Sequence, residues 1–223
     1  MFLSTLAPTV ARATVARRPR FLLAVVTPLV VQLGLAAGAL AQTWNETGDA
    51  GPLPGTAQIT VGTGALTTIN GTLDSPSDVD MYCIQVQAPT ASFLARLLCV
   101  VIQGPNNWLF DATGKGVAAN SMCAAGDKRI LGTFVLAPGK YYVAVSFDGV
   151  NPFSGADPIW VPANAGERAP DGAGAAGAVT SWQGSGNVQP INPYQILLSS
   201  VEACAAPVPA AALTWGLLKA IYR

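Results

Sequence analysis

The sequence predicts an all-β fold: a jelly-roll-like antiparallel β-sandwich preceded by a signal-peptide helix. Three observations carry that expectation. Beyond residue 41 the apolar residues fall in short runs bounded by Gly, Pro, Asn and Asp, the pattern of strands separated by turns. Several of those runs alternate with a period of two, while no stretch sustains a 3.6-residue apolar period. With 23 Gly and 17 Pro in 223 residues, turn-forming residues are plentiful.

The elements follow in chain order. Arg12, Arg17, Arg18 and Arg20 form a basic region without an acid, and an apolar run from Phe21 leads to Ala39-Leu40-Ala41. A small-x-small triplet followed at once by polar sequence predicts signal-peptidase cleavage before Gln42. An apolar run of about 20 residues can also span a bilayer, but cleavage would leave a mature form with no stable membrane span. The expected organisation is a signal peptide over 1–41, a β-sandwich domain over 42–204 and a tail over 205–223, in a protein exported to the cell surface or beyond. Residues 43–55 read as a leader without periodicity. Strands are expected at 57–61, 66–73 and 79–86. The last of these places Tyr82, Ile84 and Val86 on a core face, with Cys83, Gln85 and Gln87 toward solvent. Further strands are expected at 93–102 and 108–111. The runs 130–136 and 140–147 flank Pro138-Gly139, which suits a type II hairpin turn, with Tyr141, Val143, Val145 and Phe147 facing inward. The stretch 148–193, rich in Gly, Ala, Pro and Asn, is too long for an ordinary loop and reads as functional or disordered. A last strand is expected at 194–201.

Composition narrows the chemistry. The chain contains no His, which removes Ser-His-Asp and Cys-His catalysis and every His-ligated metal site. Removing residues 1–41 takes four Arg from 12 basic residues and none from 12 acidic ones, leaving 8 against 12, or −4. A net acidic domain without a basic stripe argues against nucleic acid as a partner. Cys83, Cys99, Cys123 and Cys204 form no C-x-x-C pair, and in an exported chain an even count favours structural disulfides, with the pairing open.

Two carboxylates, Asp78 and Asp80, stand at a strand entrance. They offer a carboxylate-only hydrolase, or a turn in which aspartates accept backbone amides. Oxygen ligands for calcium could come from Asp78, Asp80, Asp111 and Asn120, with Asp148 and Asp157 as further candidates. Glu46, Glu167 and Glu202, the only glutamates, fall in apparent loop or terminal segments. Trp160 and Trp182, within the long stretch, could form a ligand-binding platform for a polysaccharide, or could pin that stretch to the sandwich.

Several segments in order carry a family resemblance. Asp78-Val79-Asp80-Met81-Tyr82 follows Ile69-Asn70-Gly71-Thr72-Leu73. The run from Leu109 to Asn120 reads LFDATGKGVAAN, and the run from Pro138 to Ser146 reads PGKYYVAVS. Asn151-Pro152, Trp182-Gln183-Gly184 and Tyr194-Gln195-Ile196 come next. Together, over roughly residues 44–202, the chain resembles the pre-peptidase C-terminal (PPC)-like domains of secreted bacterial proteins. The resemblance implies a jelly-roll-like sandwich serving as a non-catalytic secreted or surface module in adhesion, matrix binding or support of an enzyme, its partner an extracellular polysaccharide or protein. Some members bind calcium. Here Asn120-Ser121-Met122 and Asn106-Asn107-Trp108 stand where members often carry acidic residues, which removes carboxylates from that ligand set. The tail, with Pro207-Val208-Pro209, a short apolar run and a terminal Arg223, resembles a degraded sorting signal.

Overall fold

The computed structural model describes residues 40–98, 104–123, 126–163, 165–186 and 192–206. The expected signal peptide, the sorting-type tail, Cys99 and the end of the expected 93–102 strand lie outside them.

The strands are β1 (Gln42–Asn45), β2 (Gln58–Ile59), β3 (Leu66–Leu73), β4 (Val79–Val86), β5 (Leu94–Leu98), β6 (Asn106–Asp111), β7 (Gly116–Asn120), β8 (Asp127–Leu131), β9 (Gly139–Ser146), β10 (Asn151–Ser154), β11 (Asp157–Pro158), β12 (Ser181–Gln183), β13 (Asn192–Ser199) and β14 (Val201–Ala203). They build a sandwich. One sheet runs β1-β3-β13-β5-β8 and the other β14-β4-β9-β6-β7, with β2 also on β4. The fold is therefore the expected all-β sandwich. The sheets are mixed rather than purely antiparallel, because β1 lies parallel to β3 and β2 parallel to β4.

Alternation explains the main core. Ile69 and Leu73 of β3, Tyr82 and Ile84 of β4, and Val143 and Val145 of β9 point between the sheets and are buried. Each such aliphatic side chain contributes about 1.5–3 kcal/mol relative to exposure. The face of β4 that carries Cys83 was expected to meet solvent, and here the structure corrects the sequence. Met81, Cys83, Trp108, Phe110, Tyr142 and Ala144 form a second buried cluster. The long 148–186 stretch covers it, laying Ile159, Trp160 and Val179 on the sheet and forming a small sheet of its own, β11-β10-β12. This stretch is a packed lid of structure, and its small residues serve close approach: a Cβ on Gly172 would sit 2.1 Å from the Pro158 carbonyl oxygen.

Other boundaries shift for identifiable reasons. Residues 43–45, expected as leader, pair with β3 within β1. The Pro138-Gly139 hairpin does not form. β8 pairs with β5 in one sheet, and β9 pairs with β4 and β6 in the other. A 3-10 turn at Gly132–Phe134 begins the crossing from one layer to the other. A disulfide joins Cys83 to Cys204 across 121 residues, with the Cα atoms 5.5 Å apart, tying β4 to the segment after β14. Cys123 is also disulfide-bonded.

Candidate functional site

The candidate site forms where β1 ends. Asn45 is the last residue of β1 and lies level with Asn70 of β3. The Asn70 Nδ2 group donates to Asn45 Oδ1 at 2.9 Å, and Gln195 Nε2 of β13 donates to Asn70 Oδ1 at 2.9 Å. A row of side-chain amides thus crosses three strands. It lines an open groove of about 900 Å³, together with Glu46, Thr72 and Asp74.

Glu46 turns in at the base of that groove. Its Oε1 accepts the Ala50 amide at 3.0 Å and its Oε2 the Thr72 amide at 2.8 Å. The carboxylate therefore holds the loop 46–50 closed on itself and fastens it to β3. From the other sheet Asp80 is fully buried. Tyr194 donates its hydroxyl to Asp80 Oδ2 at 2.6 Å, and the Tyr82 and Tyr194 hydroxyls share a second bond of 2.6 Å. Gly71 makes room for this network: a Cβ there would lie 2.3 Å from Tyr194 Oη and 2.6 Å from Tyr82 Oη.

Burial pushes the Asp80 carboxyl up to about 9; the Tyr194 bond opposes the rise, and the nearby Glu46 and Asp78 charges add to it. The same burial raises both tyrosines. Glu46, Asp49 and Asp80 each bring one carboxylate oxygen within 4.8 Å of the others. Asp80 Oδ1 is buried and accepts no bond from a donor group, and a side-chain hydrogen bond with Glu46 also raises the Asp80 carboxyl. With that proton displaced, the three acids fit a hard cation, which takes six to eight oxygens. Carbonyls and water would complete the shell.

The sequence-expected calcium set does not converge, and this is a correction. Asp78 Oδ2 accepts the Asp74 amide at 2.6 Å, as a turn cap. Asp111 accepts the Thr113 amide and hydroxyl and the Lys115 amide. Asn120 bonds the Arg129 carbonyl and the Met122 amide. The ladder puts Asp80 and Asn107 level on Val145. At ~4.8 Å between strands and ~3.3 Å per residue, Asp111 lies ~16 Å from Asp80 and Asn120 ~14 Å from it. Only Asp80 of the four joins the carboxylate cluster. Its partners Glu46 and Asp49 lie in the loop after β1, inside the segment expected as a leader.

The tryptophan platform is corrected at Trp160. Trp160 is completely buried, with its ring 5.3 Å from Trp108 and 5.7 Å from Phe110. It pins the long stretch and cannot stack on a ligand. Trp182 is half-buried, and its Nε1 donates to the Pro52 carbonyl at 2.7 Å. No family model matches the chain, and no curated protein matches it either.

Proposed function

We propose that this chain is a non-catalytic extracellular or cell-surface β-sandwich module that binds an extracellular polymer, in adhesion, matrix binding or support of an enzyme, and that a calcium ion at Glu46, Asp49 and Asp80 stiffens its binding end. The observation that carries the reading is how the site's acids are engaged. Asp80 is sealed beneath the surface, and both oxygens of Glu46 already accept backbone amides. Neither is free to shuttle a proton to a substrate in the groove, as general acid–base catalysis requires. The groove offers amides that are held in place by one another, which suits recognition of hydroxyl and peptide groups. The resemblance to PPC-like domains supports the same reading, as does the Cys83–Cys204 disulfide for an oxidising compartment.

Thermal melts of the exported protein test the cation. Calcium at about 100 times its Kd stabilises by about 2.7 kcal/mol, which for a domain of this size raises the melting temperature by about 5–10 °C. Asp80→Asn is expected to fold and to lose that rise. Melts that are identical in calcium and in chelator would remove the cation from the proposal. Pull-down on insoluble polysaccharides, run beside general glycosidase and protease assays, tests the binding role. Turnover that Asp80→Asn abolishes without unfolding would favour the carboxylate hydrolase instead.

A further inference from the structure

A second cavity lies on the other side of the 46–50 loop. It is a cleft of about 310 Å³ whose wall includes Trp182, Asp49, Asp78, Ser75, Ser77 and Ser181. Trp182 is a pre-organised wall. Its Nε1 is held by the Pro52 carbonyl, and its ring packs edge-on against Trp108 and Phe110 at 5.8 and 6.0 Å. An aromatic fixed in this way loses little entropy on meeting a ligand. Asp78, outside the cation cluster, brings negative charge, and no Lys or Arg is among the described residues that line the cleft. Three serine side chains supply hydroxyls that both donate and accept.

An aromatic wall favours the apolar face of a sugar ring or a cation. A carboxylate outside the cation site and without a basic partner favours an ammonium and disfavours uronic acids or sulfated sugars. Serines add partners for hydroxyls. A basic side chain from a protein would use the first two features and leave the serines idle, whereas one amino sugar uses all three. We propose that the Trp182 cleft is a subsite for a protonated hexosamine unit of a polysaccharide, with the indole against the sugar ring, Asp78 on the ammonium, and the serines on ring hydroxyls. This rests on the reading of the chain as a polymer-binding module and names the polymer's chemistry.

Calorimetric titration of the full mature chain with a glucosamine oligomer, in mildly acidic buffer where the amine is charged, tests it against the N-acetylated oligomer of equal length. A charge-assisted bond to the ammonium, worth about 1.5–3 kcal/mol, predicts that acetylation weakens binding roughly 10- to 100-fold. Trp182→Ala and Asp78→Asn are each expected to weaken binding of the glucosamine oligomer about tenfold or more; Ser77→Tyr, which fills the cleft from an exposed position, does the same if Trp182→Ala fails to fold. Equal affinity for the two oligomers would overturn amine recognition while leaving the polymer-binding reading in place. Binding of poly-lysine but of neither oligomer would assign the cleft to a basic protein instead. If neither oligomer binds and the polysaccharide pull-downs are also empty, the polymer-binding reading falls with the subsite.

Discussion

Lys128 gives the sharpest quantitative test of the packing. It lies on β8 facing the core, with no exposed surface, and its Nζ donates to the Gly104 carbonyl at 2.7 Å and to Asn106 Oδ1 at 2.8 Å. Burial drives its pKa from 10.5 down to about 8, and Asp148 offsets a part of the fall. The whole drop corresponds to about 3 kcal/mol of differential stability. Its sign follows from proton counts. Between about pH 8 and 10.5 the unfolded chain keeps the lysine proton and the folded chain has lost it, so stability rises with pH across that window. Below pH 8 the cost of the buried charge is carried in full, and above 10.5 it is gone. Between about pH 7 and pH 9 the lysine's own contribution rises by about 1.3 kcal/mol, or about 3–5 °C in the melting temperature of the wild type relative to Lys128→Met. Asp80, whose raised carboxyl pulls the other way up to about pH 9, and Tyr82 and Tyr194, which do so at still higher pH, are common to the wild type and to Lys128→Met. The difference between their two stability curves therefore isolates the lysine. Urea unfolding of both proteins at intervals across this range is the assay. Curves that stay parallel would show that Lys128 keeps an ordinary, solvated amine, and the inward placement of β8 at that position would be wrong.

Two other substitutions probe features that position the site. Gly71→Ala forces a methyl group into the space of the Tyr82 and Tyr194 hydroxyls. Overpacking of about 1–3 kcal/mol and the loss of a buried bond of about 1–3 kcal/mol predict a loss of about 2–6 kcal/mol in urea melts; a change below about 0.5 kcal/mol would contradict that packing. Trp160→Ala empties the second buried cluster at a cost of about 3–5 kcal/mol. It should also open residues 148–186 to limited proteolysis ahead of the sandwich, and cleavage elsewhere first would argue that the stretch is held by other contacts.

The parts of the fold that were legible are those fixed by local alternation. β3 and β4 fall where expected, at 66–73 and 79–86, because side-chain period and turn residues agree there. Legibility fails where a neighbour distant in sequence decides. Asp127-Lys128-Arg129 looks like a solvated charge run. In the fold Asp127 is clamped by Arg96 at 2.6 Å and Arg129 at 2.7 Å, which lets the lysine between them turn inward. Cys83 reads as solvent-facing until the 148–186 stretch is laid over it. Glu46 is the plainest case, since its partner Thr72 is 26 residues away and the Tyr194–Asp80 bond spans 114. No window of neighbouring residues contains that information. One local sign did exist. A glycine in the middle of an otherwise regular strand marks a close approach by something bulky, and Gly71 is such a residue. Its cross-strand neighbour is Tyr194, and the tyrosine in phase with Asp80 on β4 is Tyr82. A glycine facing two tyrosines and an aspartate implies that polar groups, not a methyl, fill the gap between the sheets. The buried acid is held neutral by its surroundings, and the loop that leaves β1 beside β3 brings Glu46 close enough to raise it further.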